Sequence, residues 1–390
     1  MTDFSITNQS EVEIKGTAGE DRLSFTYNTT TNDVWLKGLS PVPVGAQTPV
    51  SGGYAGYFNG MGYNDAWFTG IERFSFTDLS SGNDDIRTGD GADTLNGGGG
   101  NDKLVGNGGA DSIDGGLGND RWGGNFASSS AAFKIDLNGT STFLTSGSVK
   151  NIEAMDLVTG SGSDSITGHK TSSMADSVKT GAGNDSIRLW MGGSDTVDGG
   201  AGSDVLTLTY AVPTDGVWLT NTAADTVNGG YKGQFNGMGS NDVWFTGIER
   251  FSFTDASGGH DIIRTGNGAD TLIGGGRNDS LDGGGGADVL NGGAGVDTLV
   301  GGAGNDTYVV NLTATGTLED VITETSTLAS EVDTLKLAGT STNATAATIS
   351  LASGLANIER LDLSAAGTSK LNITGNTKAN LLNGNGAANV

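Results

Sequence analysis

LSSGNDDIR, TGDGADTLN, GGGGNDKLV, GNGGADSID and GGLGNDRWG follow one another without a gap from Leu79 to Gly123. A second unbroken series runs from Ala256 to Val309 and reads ASGGHDIIR, TGNGADTLI, GGGRNDSLD, GGGGADVLN, GGAGVDTLV and GGAGNDTYV. Every block has nine residues, with aspartate at the sixth position, an apolar or aromatic residue at the eighth and glycine among the first five. A pattern this regular predicts a structural unit that repeats every nine residues.

Each block combines a turn with a short strand. Glycines supply the positive-φ conformations that a tight turn needs, and the last three residues form a strand with one side chain directed inward. Two blocks then complete one coil with a turn on each side, so residues eighteen positions apart stack on one another. Asp84, Asp102 and Asp120 are expected along one edge, and Asp93 and Asp111 along the other. The predicted fold class is all-β, an elongated right-handed parallel β-helix or β-roll solenoid.

The stacked aspartates predict metal sites. Carboxylates placed above one another repel unless a hard cation lies between successive turns, bound by carboxylate oxygens and backbone carbonyls. A flexible cage of about six oxygen ligands favours Ca²⁺ over Mg²⁺, which requires a tighter octahedral geometry. Similar blocks occur alone at Gly16–Ser24 and, less regularly, between Thr159 and Thr207. We therefore expect several calcium ions, with the metal ligands Asp21, Asp84, Asp93, Asp102, Asp111, Asp120, Asp164, Asp185, Asp195, Asp204, Asp261, Asp270, Asp279, Asp288, Asp297 and Asp306.

These tandem blocks resemble the repeats of the RTX (repeats-in-toxin) proteins of Gram-negative bacteria. The resemblance implies a calcium-binding β-roll, export by a type I secretion system and folding triggered by extracellular calcium. A glycine-rich flexible linker is the alternative interpretation of such a composition. A linker would not keep aspartate and an aliphatic residue in fixed phase over five and then six consecutive blocks.

Composition and charge exclude several classes of function. The 390-residue chain carries a net charge of −25, which argues against nucleic acid and anionic membranes as partners. Each Ca²⁺ cancels two negative charges, so about ten ions would nearly neutralise the chain. The absence of cysteine excludes disulfides. No apolar run is long enough to span a membrane, and the first residues do not resemble a cleavable signal peptide. The expected location is extracellular or on the cell surface, reached without a cleavable N-terminal signal peptide.

Longer repeats divide the chain into alternating sections. GYAGYFNGMGYNDAWFTGIERFSFTD at Gly53–Asp78 recurs as GYKGQFNGMGSNDVWFTGIERFSFTD at Gly230–Asp255. Alternating apolar and polar residues predict strands in these linking sections, which are expected to continue the same stack as longer coils. The predicted sections are a β section with one solitary turn (1–78), the first RTX array (79–123), a β linker (124–158), an irregular second array (159–207), a β section duplicating 25–78 (208–255), the third array (256–309) and a C-terminal β section with degenerate repeats (310–390).

The third array is expected to end at Asp306, because no regular calcium turn follows eighteen residues later. A change at Asp288, which has neighbouring turns on both sides, should then cost more calcium-dependent stability than a change at Asp306. In the degenerate repeats Asn380 and Asn389 replace the expected aspartates. Amide oxygens lack the charge that holds calcium, so these coils are expected to stack without metal.

No catalytic constellation is found in the sequence, and the protein is predicted not to be an enzyme. Neither an H-E-x-x-H zinc motif nor a G-x-S-x-G nucleophile elbow occurs. His169 and His260 are expected to face solvent. Four glutamates in a recurring I-E motif are expected to make a structural hydrogen bond: Glu72, Glu153, Glu249 and Glu359. Core packing is favoured over sugar binding for two aromatic clusters: Tyr54, Tyr57, Phe58, Tyr63 and Trp67, and their counterparts Tyr231, Phe235 and Trp244.

Together these observations predict an extracellular calcium-binding β-roll protein of structural or adhesive type, such as a surface-layer or matrix component. The alternative is a polysaccharide-binding module, or the secretion and folding module, of a larger secreted enzyme. Cell-surface polysaccharide is a possible partner under that alternative. The turn motif at Gly16 and the unfinished block at Val390 also suggest open solenoid edges. Exposed edges recruit other chains, which predicts calcium-dependent self-association into a filament or lattice.

Overall fold

A computed structural model describes the backbone of most of the chain. The described residues are 2–7, 12–15, 21–27, 35–41, 54–59, 66–139, 141–143, 146–190, 192–210, 216–219, 222–227, 229–237, 241–256, 258–326, 328, 330–339, 346–351 and 355–387. Side chains are described for residues 22–26 and, within these ranges, from residue 71 onward except Thr142.

The described residues form strands joined by turns and extended segments, and they include no helix. Accordingly, none of them belongs to a helix long and apolar enough to cross a membrane. The first strands are β1 Thr2–Thr7, β2 Val12–Lys15, β3 Asp21–Tyr27, β4 Trp35–Pro41, β5 Tyr54–Asn59, β6 Ala66–Ile71, β7 Arg73–Asp78, β8 Asp85–Arg87, β9 Thr94–Asn96, β10 Lys103–Val105, β11 Ser112–Asp114, β12 Arg121–Asn125, β13 Lys134–Asp136, β14 Ser141–Phe143, β15 Gly147–Lys150, β16 Ala154–Val158, β17 Ser165–Thr167, β18 Ser177–Lys179, β19 Ala182–Gly183 and β20 Ser186–Trp190. They are followed by β21 Asp195–Asp198, β22 Ala201–Gly202, β23 Val205–Tyr210, β24 Val217–Leu219, β25 Ala223–Ala224, β26 Tyr231–Gly237, β27 Val243–Ile248, β28 Arg250–Asp255, β29 Ile262–Arg264, β30 Thr271–Gly276, β31 Ser280–Gly285, β32 Val289–Ala294, β33 Thr298–Ala303, β34 Thr307–Asn311, β35 Val321–Thr323, β36 Asp333–Ala338, β37 Ala347–Ser350, β38 Ile358–Ala365, β39 Leu371–Thr374 and β40 Leu381–Asn383.

The chain divides into two compact units. The first comprises residues 1–188 and 196–198, and the second comprises residues 189–195 and 199–390. The first array lies in the first unit and the third array lies in the second.

In the first unit, the first array forms two stacks of short parallel strands. β9 pairs with β7 and β11, and β8 pairs with β10, which pairs in turn with β12. The register places Leu95 beside Ile113 and Ile86 beside Leu104, eighteen residues apart in each case. These four apolar side chains are buried, whereas their flanking strand residues are half-buried or exposed. The predicted parallel β-roll, with one inward side chain per block, is confirmed.

The second unit repeats this arrangement with longer strands. One sheet contains β28, β30, β32, β34, β36 and β38 in parallel, and a second contains β29, β31, β33 and β35. Leu272, Leu290, Tyr308, Leu335 and Leu361 follow one another along the first sheet. The step is eighteen residues up to Tyr308 and then lengthens, so the stack continues past the nonapeptides through longer coils.

The linking sections contain antiparallel hairpins, which their prediction as longer coils of the stack did not include. In the second unit β26 pairs antiparallel with both β24 and β27, and in the first unit β5 pairs antiparallel with both β4 and β6. A connection of a few residues can reverse the chain, whereas a parallel crossover needs a dozen or more. Both hairpins still join the stack, since β4 pairs parallel with β8 and β24 with β29.

Aromatic side chains form the core where a linking section meets an array. In the second unit the ring centroids of Phe235 and Phe253 are 5.8 Å apart and stacked, and those of Phe245 and Phe251 are 5.0 Å apart edge to face. Each such pair adds about 0.5–1.5 kcal/mol beyond the burial of its area. The apolar column therefore widens at the linking section, where the hairpin strands supply extra side chains.

Candidate calcium sites

The predicted metal ligands are buried carboxylates. Each of them except Asp21, whose side chain lies outside the described residues, is at most 3% exposed. Burial of a charged carboxylate is unfavourable unless a hydrogen bond or a counter-charge compensates it. Their surroundings must therefore supply that compensation.

Part of the compensation comes from the backbone of the neighbouring coil. The Oδ1 atom of Asp288 accepts a hydrogen bond from the N–H of Asp270, eighteen residues earlier, at 2.8 Å. Repetition of this bond produces ladders of carboxylates along the edges of the stack. From the first donating N–H to successive acceptors, the ladders run through Phe74, Asp93 and Asp111; Asp84, Asp102, Asp120 and Glu153; Phe133, Asp164 and Asp185; Met155 and Asp176; Asp204 and Glu249; Val217, Asp261, Asp279, Asp297 and Asp320; and Phe251, Asp270, Asp288, Asp306, Asp333 and Glu359.

The predicted separation of the two edges is confirmed, since Asp84, Asp102 and Asp120 share one ladder and Asp93 and Asp111 share another. The irregular second array departs from the period of eighteen. There the step from Asp164 to Asp185 is 21 residues. Asp195 is also buried, and its own N–H donates to the carbonyl oxygen of Asp242.

The second carboxylate oxygen is where a cation is needed. In several aspartates Oδ2 is buried without a hydrogen-bond partner: Asp111, Asp120, Asp279, Asp288 and Asp306. Burial raises the pKa of Asp111 to about 9. Burial, followed by the charges of Asp270 and Asp306, raises the pKa of Asp288 to about 7. A charged carboxylate is therefore unstable here without a cation.

The glycine turns bring backbone carbonyl oxygens close to the same edges. Gly304 has φ +129°, and a Cβ atom built on it would overlap the carbonyl oxygen of Gly286, eighteen residues earlier. Glycine is thus required both for the left-handed backbone and for the close approach of successive turns. Carboxylate and carbonyl oxygens together form the hard, flexible ligand set that suits Ca²⁺. The residues present therefore fit the metal predicted from the sequence.

The family described as the RTX calcium-binding nonapeptide repeat (4 copies) matches the chain at residues 79–113, 87–121, 171–206, 255–276 and 273–308. The matches cover most of the first and third arrays and the later part of the second. The chain therefore carries RTX repeats, which bind calcium and are typical of secreted proteins. No curated protein matches the chain.

Three ladder aspartates lie outside the nonapeptide pattern. Each is at most 8% exposed and accepts a hydrogen bond from a backbone N–H of an earlier coil: Asp176, Asp320 and Asp333. None of them follows a G-G-x-G turn, which is why the glycine pattern fails to find them. Each does retain an apolar residue two positions later: Val178, Ile322 and Leu335. An acidic residue followed at that spacing by an inward apolar side chain is the signal that they share with the repeats.

The glutamates of the I-E motif follow the same rule. Oε2 of Glu153 accepts from the N–H of Asp120 at 2.7 Å, that of Glu249 from Asp204 at 2.7 Å, and that of Glu359 from Asp333 at 2.8 Å. The predicted structural hydrogen bond is confirmed for these three residues. Glutamate thus extends a ladder into a linking section.

The residues of the second aromatic cluster lie partly in the core and partly at the surface. Phe235 is fully buried, as predicted, and the Tyr231 hydroxyl accepts a hydrogen bond from the N–H of Asn267 at 2.8 Å. The prediction of core packing is wrong for Trp244. Its side chain is 41% exposed because it occupies an outward position between buried Val243 and Phe245. The side chains of the first cluster, from Tyr54 to Trp67, lie outside the described residues.

The two histidines also differ. His260 is exposed, as predicted, with Nδ1 2.9 Å from the carbonyl oxygen of Asn278. His169 is half-buried rather than solvent-facing.

Proposed function

We propose that this protein is an extracellular calcium-binding β-roll with a structural or adhesive role, such as a surface-layer or matrix component. It would leave the cell through a type I secretion system and fold on meeting calcium. The observation that carries the proposal is the continuity of the carboxylate ladders. In the second unit one ladder runs without a break from Phe251 through four aspartates to Glu359.

Such a ladder links folding to the location of the protein. Its carboxylates are buried, and calcium is the counter-charge that the oxygen ligands suit. Calcium sites in extracellular modules bind in about the 10⁻⁴–10⁻³ M range. Where calcium is scarce, the repulsion among these groups keeps the chain unfolded, and an unfolded chain is suited to export. Where calcium is abundant, the chain folds.

The same geometry supports a role without catalysis. A general acid or nucleophile must reach a substrate within hydrogen-bond distance. The ladder aspartates are closed to solvent, and most of them hold one oxygen against a backbone N–H of a neighbouring coil. We therefore assign them to cation binding.

Assembly into a lattice would complete a structural role. Calcium lowers the self-repulsion of a chain with a net charge of −25. Leu381 and Leu382 on β40 are 61% and 50% exposed and offer an apolar contact. Sedimentation velocity across a calcium titration should show larger species as calcium rises. Replacement of both leucines by serine should reduce this association without loss of folding. A protein that folds with calcium and stays monomeric at high concentration would contradict the lattice role.

The second candidate is a polysaccharide-binding module of a larger secreted enzyme, and the exposure of Trp244 favours it. An exposed indole can stack on a sugar ring. Under this candidate, Trp244→Ala abolishes binding to a soluble uronic-acid polysaccharide in calorimetry, whereas Val296→Ala, a change at another exposed apolar residue, does not. A parent protein that shows no binding in calcium would remove this candidate.

A further inference from the structure

Beyond the last nonapeptide, the structure brings together three acidic residues. Asp306 is the final motif aspartate, and no regular calcium turn follows it eighteen residues later. Instead, the N–H of Asp306 donates to Oδ1 of Asp333 at 2.8 Å, 27 residues later. The longer coil after Asn311 returns the chain to the same edge in β36, so Asp306 also has a neighbouring carboxylate beyond it. The larger loss of calcium-dependent stability predicted for a change at Asp288 than at Asp306 stays a prediction.

Glu324 joins these two aspartates from the same longer coil. One carboxylate oxygen from each of the three residues lies within 4.8 Å of the others. Asp306 and Asp333 are each 1% exposed, and Glu324 is half-buried. Oxygens at this spacing can contact one ion.

One of these oxygens lacks a partner. Oδ1 of Asp306 accepts the N–H of Asp288 at 2.9 Å. Its Oδ2 is buried and has no hydrogen-bond partner. A Cβ atom built on Gly301 would strike both this Oδ2 atom and the Tyr308 hydroxyl, so the oxygen faces the side of the cluster where Tyr308 meets Glu324. A desolvated carboxylate oxygen without a partner, in a cluster with two further carboxylates, is a position for a cation.

Tyr308 and Ser326 hold Glu324 in place. The Tyr308 hydroxyl accepts the N–H of Gly301 at 2.9 Å and donates to Oε2 of Glu324 at 2.6 Å. The N–H of Ser326 donates to Oε1 of Glu324 at 2.7 Å. Tyr308 stands at the eighth position of its block, where most other blocks carry an aliphatic residue. The tyrosine thus gives the last block a hydroxyl at a position where the other blocks have none.

The charged side chains that act directly on the three cluster residues are acidic. Glu324, Asp306 and Glu359 place negative charge beside Asp333, and Lys378 forms an ion pair with Glu359. Glu331 adds a further negative charge near Asp306. Like charges in a desolvated place need protons or a cation to coexist.

We propose that Asp306, Glu324 and Asp333 bind a divalent cation, calcium in the extracellular medium, at a site that the nonapeptide motif does not define. Glu324 and Asp333 lie beyond residue 308, where the last family match ends. Three carboxylates supply a hard oxygen ligand set for calcium. Because two ligands come from the C-terminal section, the ion couples the folding of that section to the third array.

Calcium counting on the full chain tests the site. Glu324→Gln and Asp333→Asn, alone and together, keep a carbonyl oxygen for the Tyr308 hydroxyl and the Asp306 N–H but remove the negative charge. The matched control is Asp362→Asn, which changes a carboxylate of β38 outside the cluster. Equilibrium dialysis at saturating calcium should show about one ion fewer per chain in the double variant than in the parent and the control. An unchanged ion count in the folded double variant would overturn the proposal.

Terbium luminescence gives a second readout that does not depend on the double variant. A terbium ion at this site lies beside the Tyr308 ring and should be sensitised by tyrosine excitation. Tyr308→Phe and Glu324→Gln should each reduce this emission relative to the parent, and Asp362→Asn should not. Emission that neither Tyr308→Phe nor Glu324→Gln reduces would contradict the site. A parent chain that binds no calcium would instead contradict the proposed function as a whole.

Discussion

Two substitutions at Asp288 separate the two roles of a ladder aspartate. Asp288 lies in the middle of the third array, where its Oδ1 accepts the N–H of Asp270 at 2.8 Å and its Oδ2 is buried without a hydrogen-bond partner. Asp288→Asn keeps a carbonyl oxygen for the Asp270 N–H but removes the charge that binds calcium. Asp288→Ala removes both.

The magnitudes follow from these contacts. In Asp288→Ala the buried N–H of Asp270 loses its acceptor, which costs about 1–3 kcal/mol. Both variants lose a carboxylate ligand, so the calcium concentration at the folding midpoint should rise at least about tenfold, equivalent to about 1.4 kcal/mol. In chelator the order of stability changes, because asparagine removes a buried charge that is unfavourable without calcium. There Asp288→Asn should be more stable than the parent.

Circular dichroism during calcium titration and urea unfolding measures both effects. In saturating calcium the free energy of unfolding should decrease in the order parent, Asp288→Asn, Asp288→Ala. Equal stability of the two variants would show that the hydrogen bond between Asp270 and residue 288 contributes nothing. A calcium midpoint in Asp288→Asn that equals the parent's would show that Asp288 is not a calcium ligand.

Two further predictions concern pH and backbone packing. The pKa of Asp111, raised by burial to about 9 from an ordinary value near 3.8, means that without calcium the folded state holds a proton that the unfolded state releases. Residual structure in chelator should thus be greatest at acidic pH and decline as pH rises from about 4 to 9. Calcium affinity should increase over the same window. Circular dichroism that shows no such decline in structure would refute this prediction. Gly304→Ala should lower the free energy of unfolding in calcium by about 3 kcal/mol or more, because its Cβ overlaps the carbonyl oxygen of Gly286 at positive φ. Gly258→Ala, where a Cβ meets no atom within 4 Å, is the control; equal losses in the two variants would contradict close stacking of the turns.

The regular arrays could be predicted in detail because their period fixes both the strand and the ladder. Once the sequence shows nine-residue blocks, the pairing of Leu95 with Ile113 and the hydrogen bond from Asp93 to Asp111 follow from the number of residues per coil. The burial of the motif aspartates follows as well, since each immediately precedes a strand with an inward apolar side chain.

The remaining features depend on contacts that the period does not encode. Asp333 reaches the ladder through a coil of 27 residues, a length that no repeat specifies. The direction of β26 depends on a short connection, which permits reversal where alternating residues alone predict only a strand. Trp244 is exposed because the alternation of β27 places it on the outer face, although the composition of its segment favours the core.

The central claim is that buried carboxylate ladders make folding depend on calcium, and one measurement tests it most directly. Far-ultraviolet circular dichroism of the full chain at neutral pH is recorded first in chelator and then through a calcium titration into the millimolar range. We predict a largely disordered spectrum in chelator and a cooperative change to a β spectrum as calcium rises. A well-ordered β spectrum in chelator at neutral pH, unchanged by calcium, would contradict the account.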